Sequence, residues 1–358
     1  MASLEMTEVR RSASVGGEAV FATVNIRQGT RLAAEIPLVI VPPVPDKKEV
    51  AEFCKAMDRL PERKSAEMAE LFCHPSVAEK IKKGGSVPRE VYAFYRSKKW
   101  KDSKGAPLQG KQLQKTVKKT VNLCSIYLTN NVQLGLEGKY GSGIFSFFCR
   151  IRHSCVPNVY SSWNPTMNRL IIHATHDIKA GDLICVNYAG NVCRTRQQRA
   201  FSLFTTWGII CNCMACTEPS IDQLRRRMLV LDQALAAYIC GASKETDFAA
   251  IHNIPRITQP LEALEAAEEL VRLLRRQRLY GMELCKVYRE CSKYALDSGA
   301  SEKALHYARK ELEHERLLIG TETSHLKEDL YGAAYWLEHV QERTSRGLTA
   351  YISTQICI

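Results

Sequence analysis

The spacing of hydrophobic positions changes several times along the chain, and each change predicts a different kind of structure. Near the N-terminus, two apolar runs at residues 19–24 and 32–41 flank a turn at residues 26–29. Apolar runs around a short glycine-containing turn are typical of a β-hairpin. Residues 1–42 are therefore predicted to form an N-terminal β region.

Two stretches downstream carry apolar residues at helical spacing instead. The first covers residues 47–72, with an interruption at Pro61, and the second covers residues 112–127. The chain between them is basic and is broken by glycines and Pro88. Because a spacing of three and four residues places apolar side chains on one face of a helix, residues 43–128 are predicted to form a helical insert.

Short apolar runs alternate with turns again from residue 129 onwards. Strands are predicted at residues 170–174 and 183–188, so residues 129–205 form a second, mostly antiparallel β region. A cysteine-rich segment follows at residues 206–219.

The remaining residues, 220–358, are predicted to form a helical C-terminal domain. Apolar stripes with charged opposite faces lie at residues 229–238, 261–279, 282–295, 302–318 and 327–342. Ala304, Leu305, Ala308 and Leu312 resemble one tetratricopeptide-like (TPR-like) helix pair, although several clean repeats are not found. The expected fold class is α+β: a β-fold with a helical insert, then an α-helical TPR-like domain.

Composition limits the class of protein. With 358 residues, 45% of them hydrophobic and 25% charged, the chain is typical of soluble proteins of two or three domains. The first residues are acidic where a secretory signal is basic, and no apolar run is of membrane-spanning length. We therefore expect a cytoplasmic or nuclear location, or both, and no membrane partner.

The formal charge of +12 could favour binding to nucleic acid, binding to an acidic partner, or solubility alone. The lysines and arginines are spread over residues 98–119, 194–199, 225–227 and 275–278. No aromatic side chains are interleaved with them as in nucleic-acid-binding stripes, so direct reading of nucleic acid is not expected. A basic docking surface for a protein partner is the favoured interpretation.

Cysteine spacing indicates a metal site. Cys211, Cys213 and Cys216 place three thiolates on a tight loop, and a tetrahedral zinc ion would need a fourth ligand, for which Cys155 is the candidate. Four cysteines leave no position for a reactive water, so this zinc would be structural. The alternative is four unrelated buried thiols. Nine other cysteines, which lack metal spacing, are expected to be small buried hydrophobes: Cys54, Cys73, Cys124, Cys149, Cys185, Cys193, Cys240, Cys285 and Cys291.

Five segments carry a family resemblance. Residues 17–22 resemble a Gly-x-Gly opening motif, and residues 129–131 resemble an asparagine-containing segment. Residues 152–158 resemble an Asn-His-Ser-Cys-x-Pro-Asn signature, and residues 181–188 resemble a Gly-Glu-Glu-Leu-x-x-x-Tyr segment. Residues 211–216 resemble the cysteine motif that follows such a domain. The chain thereby resembles a SET domain, and more closely the SET and MYND-type lysine methyltransferases with a helical C-terminal region. Residues 42–120 show no zinc-finger pattern of the MYND kind, so that module is expected to be missing.

The resemblance implies an S-adenosylmethionine-dependent protein-lysine N-methyltransferase. Tyr188 would be the catalytic residue, with its hydroxyl near the transferred methyl group. The implied cofactor-binding residues are Gly17, Glu18, Ala19, Asn130, Arg152, His153 and Trp207, and Asn158 would be structural or lie near the cofactor. The alternatives are ordinary core packing for Tyr188 and Trp207 and a satisfied core histidine for His153.

Methyl transfer to lysine requires the neutral amine. With a pKa of about 10.4, only about 0.1% of free lysine is neutral near pH 7.4, which corresponds to a penalty of about 4 kcal/mol. A narrow apolar channel and the neighbouring sulfonium charge would both disfavour the ammonium form. Tyr188 would then orient the donor and the amine, without acting as a strong base.

Three residues depart from the family pattern. Arg152 stands where the signature has asparagine, and its guanidinium offers only hydrogen-bond donors and a positive charge. Ala19 replaces the second glycine of the opening motif, and Ile209 stands where relatives often carry an aromatic residue. The departures predict a weaker cofactor site and the loss of one wall of the lysine channel.

A second hypothesis follows from these departures. It is a SET-fold protein that no longer transfers methyl groups and binds a partner or small molecule, or catalyses another reaction in the former lysine channel. The substrate would be a protein with an accessible lysine under the first hypothesis and a small molecule under the second.

Overall fold

A computed structural model gives the three-dimensional structure of the chain. It describes residues 6–12, 17–44, 49–97, 105–241, 256–321 and 332–345. The strands are β1 Thr7–Ser12, β2 Gly17–Ala22, β3 Arg31–Glu35, β4 Val39–Val41, β5 Val132–Gln133, β6 Ser142–Ile144, β7 Arg152–His153, β8 Val159–Asn164, β9 Arg169–Ala174 and β10 Cys185–Val186.

The helices divide into an insert group and a later group. Those of the insert are α1 Glu49–Arg59, α2 Glu62–Ala69, α3 Pro75–Gly84, α4 Val87–Arg96 and α5 Gly110–Asn130. Those after the β region are α6 Arg196–Trp207, α7 Met214–Thr217, α8 Pro219–Ile239, α9 Pro260–Arg276, α10 Met282–Asp297, α11 Ser301–Ile319 and α12 Ala333–Ser345. Short 3₁₀ turns lie at Leu136–Gly138 and Phe148–Arg150.

The strands form four small sheets. β1 pairs with β2, β3 and β8 flank β9, and β4 and β5 flank β6, all antiparallel. β10 pairs with β7 in parallel. The apolar residues of β2, β3, β8, β9 and β10 meet in a core that includes Val20, Leu32, Ile172 and Ile184, each fully buried. The sheet of β4, β5 and β6 packs instead against the helical insert, through Val39, Val41 and Ile144.

The predicted N-terminal hairpin is wrong in its pairing. β2 and β3 do not pair with each other, because segments of the later β region lie between them: Phe21 bridges to Leu183 and Ile26 bridges to Ile178. The run at 32–41 is also two strands, β3 and β4, since Pro37 between them lacks a backbone N–H.

The helical insert is confirmed, including the break at Pro61, which lies immediately before α2. Two of its helices, α3 and α4, were missed because glycines and Pro88 interrupt the basic segment. Pro88 lies in the first turn of α4, where a missing N–H is harmless, and Val91 and Tyr95 are buried one helical turn apart.

The C-terminal region is helical, as predicted. A second core forms between α8, α9, α10, α11 and α12, with Ala304 and Ala308 of α11 fully buried in it. α11 also packs against β8 and β9. Of the predicted helix at 327–342, residues 327–331 lie outside the described ranges, and the structure has α12 from Ala333. No helix in the part of the chain that the structure describes has the length and apolar character needed to cross a bilayer.

Glu35 is a buried carboxylate that shapes the approach to β7. It accepts hydrogen bonds from the backbone N–H groups of Phe147 (2.6 Å) and Phe148 (2.9 Å), at the start of the 3₁₀ turn before β7. Burial raises the pKa of Glu35 from 4.5 to about 7, although these two N–H groups act in the opposite direction.

We predict that Glu35 makes the folded state less stable as pH rises. Because its pKa is raised in the folded state, its contribution is fully present below about 4.5 and is lost as pH rises through about 7. The loss should be on the order of 2–3 kcal/mol in urea unfolding between about pH 5 and pH 8. Glu35→Gln should flatten this pH dependence, whereas the exposed control Glu62→Gln should keep it. An unchanged slope in Glu35→Gln would show that Glu35 does not titrate in this range.

Candidate active site

A cleft of about 1400 Å³ lies between the β region, the end of the insert and the segment that follows α6. The residues predicted for catalysis and cofactor binding that line it are Gly17, Glu18, Asn130, Arg152, His153, Trp207 and Tyr188. The parallel pairing of β7 with β10 sets Arg152 opposite Cys185 and His153 opposite Val186, and Tyr188 follows two residues later. Two segments far apart in sequence thus meet at one surface.

Tyr188 is held on three sides. Its hydroxyl donates a hydrogen bond to the carbonyl of Ile151, and its ring centroid lies 5.5 Å from that of His153 and 5.6 Å from that of Trp207. Burial raises the pKa of the Tyr188 phenol above its usual value. The hydroxyl therefore remains protonated near neutral pH, where it can donate a hydrogen bond but cannot act as a base.

His153 connects Tyr188 to the cysteine loop. Its Nδ1 accepts the backbone N–H of Tyr188 at 3.0 Å, and its Nε2 lies 3.3 Å from Cys155 Sγ. Because Nδ1 accepts a hydrogen bond, it carries no proton of its own. The neutral ring therefore has its proton on Nε2, facing the sulfur. Burial lowers the pKa of His153 to about 4, which favours this neutral form.

Arg152 lies along β2. Its Nε donates to the Glu18 carbonyl at 2.8 Å, while the neighbouring Arg150 pairs with the Glu18 carboxylate at 3.0 Å. Gly17 has φ +130°, and a Cβ added there would come within 2.9 Å of Arg152 Nη2. The backbone conformation therefore favours glycine at this position, whereas the contact alone could be relieved by a shift of the flexible Arg152 side chain.

Two predicted cofactor residues have roles that the motif does not indicate. Ala19 is fully buried and does not line the cleft, so its Cβ does not narrow the cavity. Asn130 lines the cleft, but its side-chain amide donates to the carbonyls of Phe72 (2.7 Å) and Ile126 (2.8 Å). It ties the end of α5 to the loop after α2.

The segment after α6 supplies an apolar wall. Ile209 lines the cleft and packs in one cluster with Trp207 and Tyr188, so the predicted loss of a wall at this position is wrong: the wall is aliphatic. Gly208 ends α6 with φ +64°, and a Cβ there would lie 2.2 Å from Nε2 of His74. Glycine thus lets this segment touch the insert.

Several cleft residues were missed from the sequence. Phe72 and Ile210 line the cleft although they are 61% and 78% exposed, and His74 lines it next to Gly208. Only Gly208, a glycine directly after a helical pattern, gave a sequence signal, that of a helix C-terminus.

Asn158 is structural. Its side-chain amide donates to the Leu183 carbonyl at 2.8 Å, and its Oδ1 accepts the N–H of Cys185 at 2.7 Å. It joins the loop after β7 to β10 and does not line the cleft.

The four predicted metal ligands come together. The sulfurs of Cys155, Cys211, Cys213 and Cys216 all lie within 4.8 Å of one another, and those of Cys155 and Cys216 are 3.6 Å apart. A tetrahedral zinc ion with Zn–S bonds of about 2.3 Å holds its sulfurs about 3.8 Å apart. The donor set and the spacing therefore fit zinc.

The sulfurs also influence one another without a metal. Hydrogen bonds from Cys155 and the other two thiols lower the pKa of Cys213, while hydrogen bonds to Cys211 and the others raise that of Cys155. Such crowding favours a thiolate in the cluster, which is the form that binds metal.

The remaining cysteines mostly behave as expected. Six are buried: Cys54, Cys124, Cys185, Cys193, Cys285 and Cys291. Cys73 and Cys149 are only partly buried and Cys240 is exposed, so the expectation of burial is wrong for Cys240. Cys149 contributes to the cleft lining.

We predict one zinc per chain at the four-cysteine cluster. Cys155→Ser should reduce the zinc content to well below half an equivalent, because a serine hydroxyl is a poor zinc ligand. It should also remove the fall in melting temperature that a chelator causes in the wild type. Elemental analysis and thermal unfolding measure these effects, with the exposed Cys240→Ser as control. Wild-type protein with far less than one equivalent of zinc would contradict the site.

Comparison with known proteins places this geometry in a family context. Residues 17–189 match the family model of the SET domain. The chain is 27% identical over 190 residues to histone-lysine N-methyltransferase set5 of Schizosaccharomyces pombe. It is 35% identical over 88 residues to protein-lysine N-trimethyltransferase SMYD5 of Homo sapiens.

These matches cover only part of each protein. The set5 match takes in 51% of this chain and 53% of that protein, and the SMYD5 match takes in 23% and 21%. A solved structure of the SET domain of LSMT bound to lysine and AdoHcy aligns over 97% of this chain and 89% of its own, with a TM-score of 0.37 and 13% identity. Together with the SET match, the strands and helices described above make the fold a SET-type β-fold with helices, of the predicted α+β class.

Proposed function

We propose that the protein is an S-adenosylmethionine-dependent protein-lysine N-methyltransferase. One observation carries the proposal: within the stretch that matches the SET domain, Arg152, His153 and Tyr188 meet Gly17 and Glu18 at one cleft. The similarity to set5 and SMYD5, both named as lysine methyltransferases, supports the same activity.

The cofactor would occupy the side of the cleft formed by β2, β7 and the end of α5. S-adenosylmethionine supplies an activated methyl group on its sulfonium. Gly17, Glu18 and Asn130 would contact it through the cleft wall, and Trp207 offers an aromatic face. Arg152 carries donors and a positive charge, which suit the cofactor's carboxylate and oppose its ammonium group.

The lysine would enter past the apolar wall. Trp207 and Ile209 line the cleft in one apolar cluster with Tyr188, and an amine beside these side chains would have its charged form disfavoured and its pKa lowered. Tyr188 stays protonated, and its ring is fixed between His153 and Trp207. Its part would be to orient the reacting groups in line.

The finer features of the family assignment belong to the same proposal. Cys155, Cys211, Cys213 and Cys216 would hold a structural zinc ion of the post-SET type, and a MYND module would be missing. The proposed boundaries are residues 1–42, 43–128, 129–205, 206–219 and 220–358. The substrate would be a protein with an accessible lysine, and the protein would act in the nucleus, the cytoplasm or both.

A second candidate is a SET-fold protein that binds a partner or small molecule without transferring methyl groups. The observation in its favour is Arg152, whose positive charge lies in the cleft lining where it opposes a cationic cofactor. Cofactor binding separates the two candidates.

We predict that Tyr188→Phe abolishes methyl transfer and leaves cofactor binding nearly intact. Loss of the hydroxyl removes the hydrogen bond to Ile151 and the polar group that would orient the reacting groups, while the ring keeps its contacts with His153 and Trp207. Transfer of a labelled methyl group to histones or lysine peptides should fall by about a hundredfold or more. S-adenosylmethionine affinity, measured by calorimetry, should stay within about threefold because no charged contact is lost.

Tyr335→Phe is the matched control, since this tyrosine lies on α12 and is 41% exposed. It should leave both transfer and binding unchanged. Wild-type protein that binds no S-adenosylmethionine would refute the proposal and favour the second candidate. Wild-type methyl transfer by the Tyr188→Phe variant would show that the Tyr188 hydroxyl is not required for catalysis.

A further inference from the structure

Two arginines next to the cysteine cluster are among the most buried side chains of the protein. Arg199 on α6 is 1% exposed and Arg225 on α8 is fully buried. Both belong to the basic segments that the sequence assigned to a docking surface, and that expectation is wrong for these two residues. Their neighbour Arg226, by contrast, has a side chain that is 72% exposed.

Each guanidinium group contacts a residue of the cluster. Arg199 donates to the carbonyls of Arg194 (2.6 Å) and Ala215 (2.8 Å), and its Nη2 lies 3.8 Å from the sulfur of Cys216. Arg225 donates to the carbonyls of Val192 and Cys155, the latter at 2.9 Å.

Neither arginine has a carboxylate partner among the described residues. Every hydrogen bond of the two guanidinium groups goes to a backbone carbonyl or to cysteine sulfur, and both Nε atoms are buried without a partner. The nearby groups that can carry the opposite charge are cysteines, including Cys155 and Cys216, which become thiolates when they coordinate a metal ion.

A buried cation without an opposite charge is strongly unfavourable. Four neutral thiols would not offset two guanidinium groups. A zinc ion with four thiolates, however, carries a net charge of −2, because each coordinating thiol is deprotonated. Arg199 and Arg225 together carry +2, so the charges of the metal centre and its surroundings balance.

We propose that Arg199 and Arg225 are charge-balancing residues of a zinc–tetrathiolate centre, so that zinc binding and the docking of α6 and α8 stabilise each other. This inference rests on the zinc site of the proposed function. Arg225 ties α8, the first helix of the C-terminal domain, to the backbone of the ligand Cys155. Arg199 ties α6 to α7, which carries the ligand Cys216. Metal occupancy thereby governs how the helical domain joins the β region.

The test is the zinc affinity of arginine variants, measured by competition with a chromogenic chelator. Arg199→Met and Arg225→Met should each bind zinc about tenfold to a hundredfold more weakly than the wild type. Arg226→Met, on the same helix but exposed, should stay within about threefold. Arg199→Lys and Arg225→Lys, which keep the charge, should recover most of the affinity lost in the methionine variants.

Thermal unfolding with and without zinc separates charge balance from packing. Loss of packing would lower the melting temperatures of the loaded and stripped proteins equally. Charge balance predicts that the rise in melting temperature on adding zinc is smaller in Arg199→Met and Arg225→Met than in Arg226→Met.

Three results would overturn the inference. Wild-type zinc affinity in both methionine variants would exclude charge balance, and lysine variants as weak as the methionine variants would show that charge is not the reason. Wild-type protein that binds no zinc would remove the site itself. Because none of these measurements uses methyl transfer, failure of the enzymatic proposal would be seen separately.

Discussion

The convergence of four cysteine sulfurs is the interaction on which the geometry of the cleft depends. Cys155 follows directly after β7, and Cys211 and Cys213 follow the α6 helix that ends at Trp207. Holding the sulfurs within 4.8 Å therefore fixes two walls of the cleft relative to each other. His153 extends this link to Tyr188, since one ring nitrogen faces Cys155 and the other accepts the tyrosine's backbone N–H.

The electrostatics of this region follow from burial. Tyr188 keeps its proton and His153 is neutral because partial burial disfavours the charged form of each, so neither is suited to remove a proton from a substrate. The apolar wall, and not a base, would then generate the neutral amine. Arg152 opposes this scheme, because it holds a positive charge along β2 in a cleft proposed to bind a sulfonium.

Residues with local chemical signals could be placed from the sequence, and residues defined by distant contacts could not. Cysteine spacing predicted three sulfurs of the cluster, Cys155 was the candidate for the fourth, and the structure brings all four together. Helical spacing predicted the insert. The hairpin prediction was wrong because an apolar run does not show which segment it pairs with. Phe21 and Ile26 bridge to residues more than a hundred positions away in the chain. Arg199 and Arg225 look like surface charges in sequence, and only the fold shows that both are buried and bonded to residues of the cysteine cluster.

Calorimetric titration of S-adenosylmethionine into zinc-loaded and chelator-stripped protein tests most directly whether the cysteine cluster fixes a cofactor cleft. If it does, the loaded protein binds the cofactor and the stripped protein binds it at least about tenfold more weakly, because β7 and the segment after α6 lose their common anchor. Equal affinity in the two samples would contradict this dependence. No binding by the loaded protein at about millimolar cofactor would contradict the cofactor site itself.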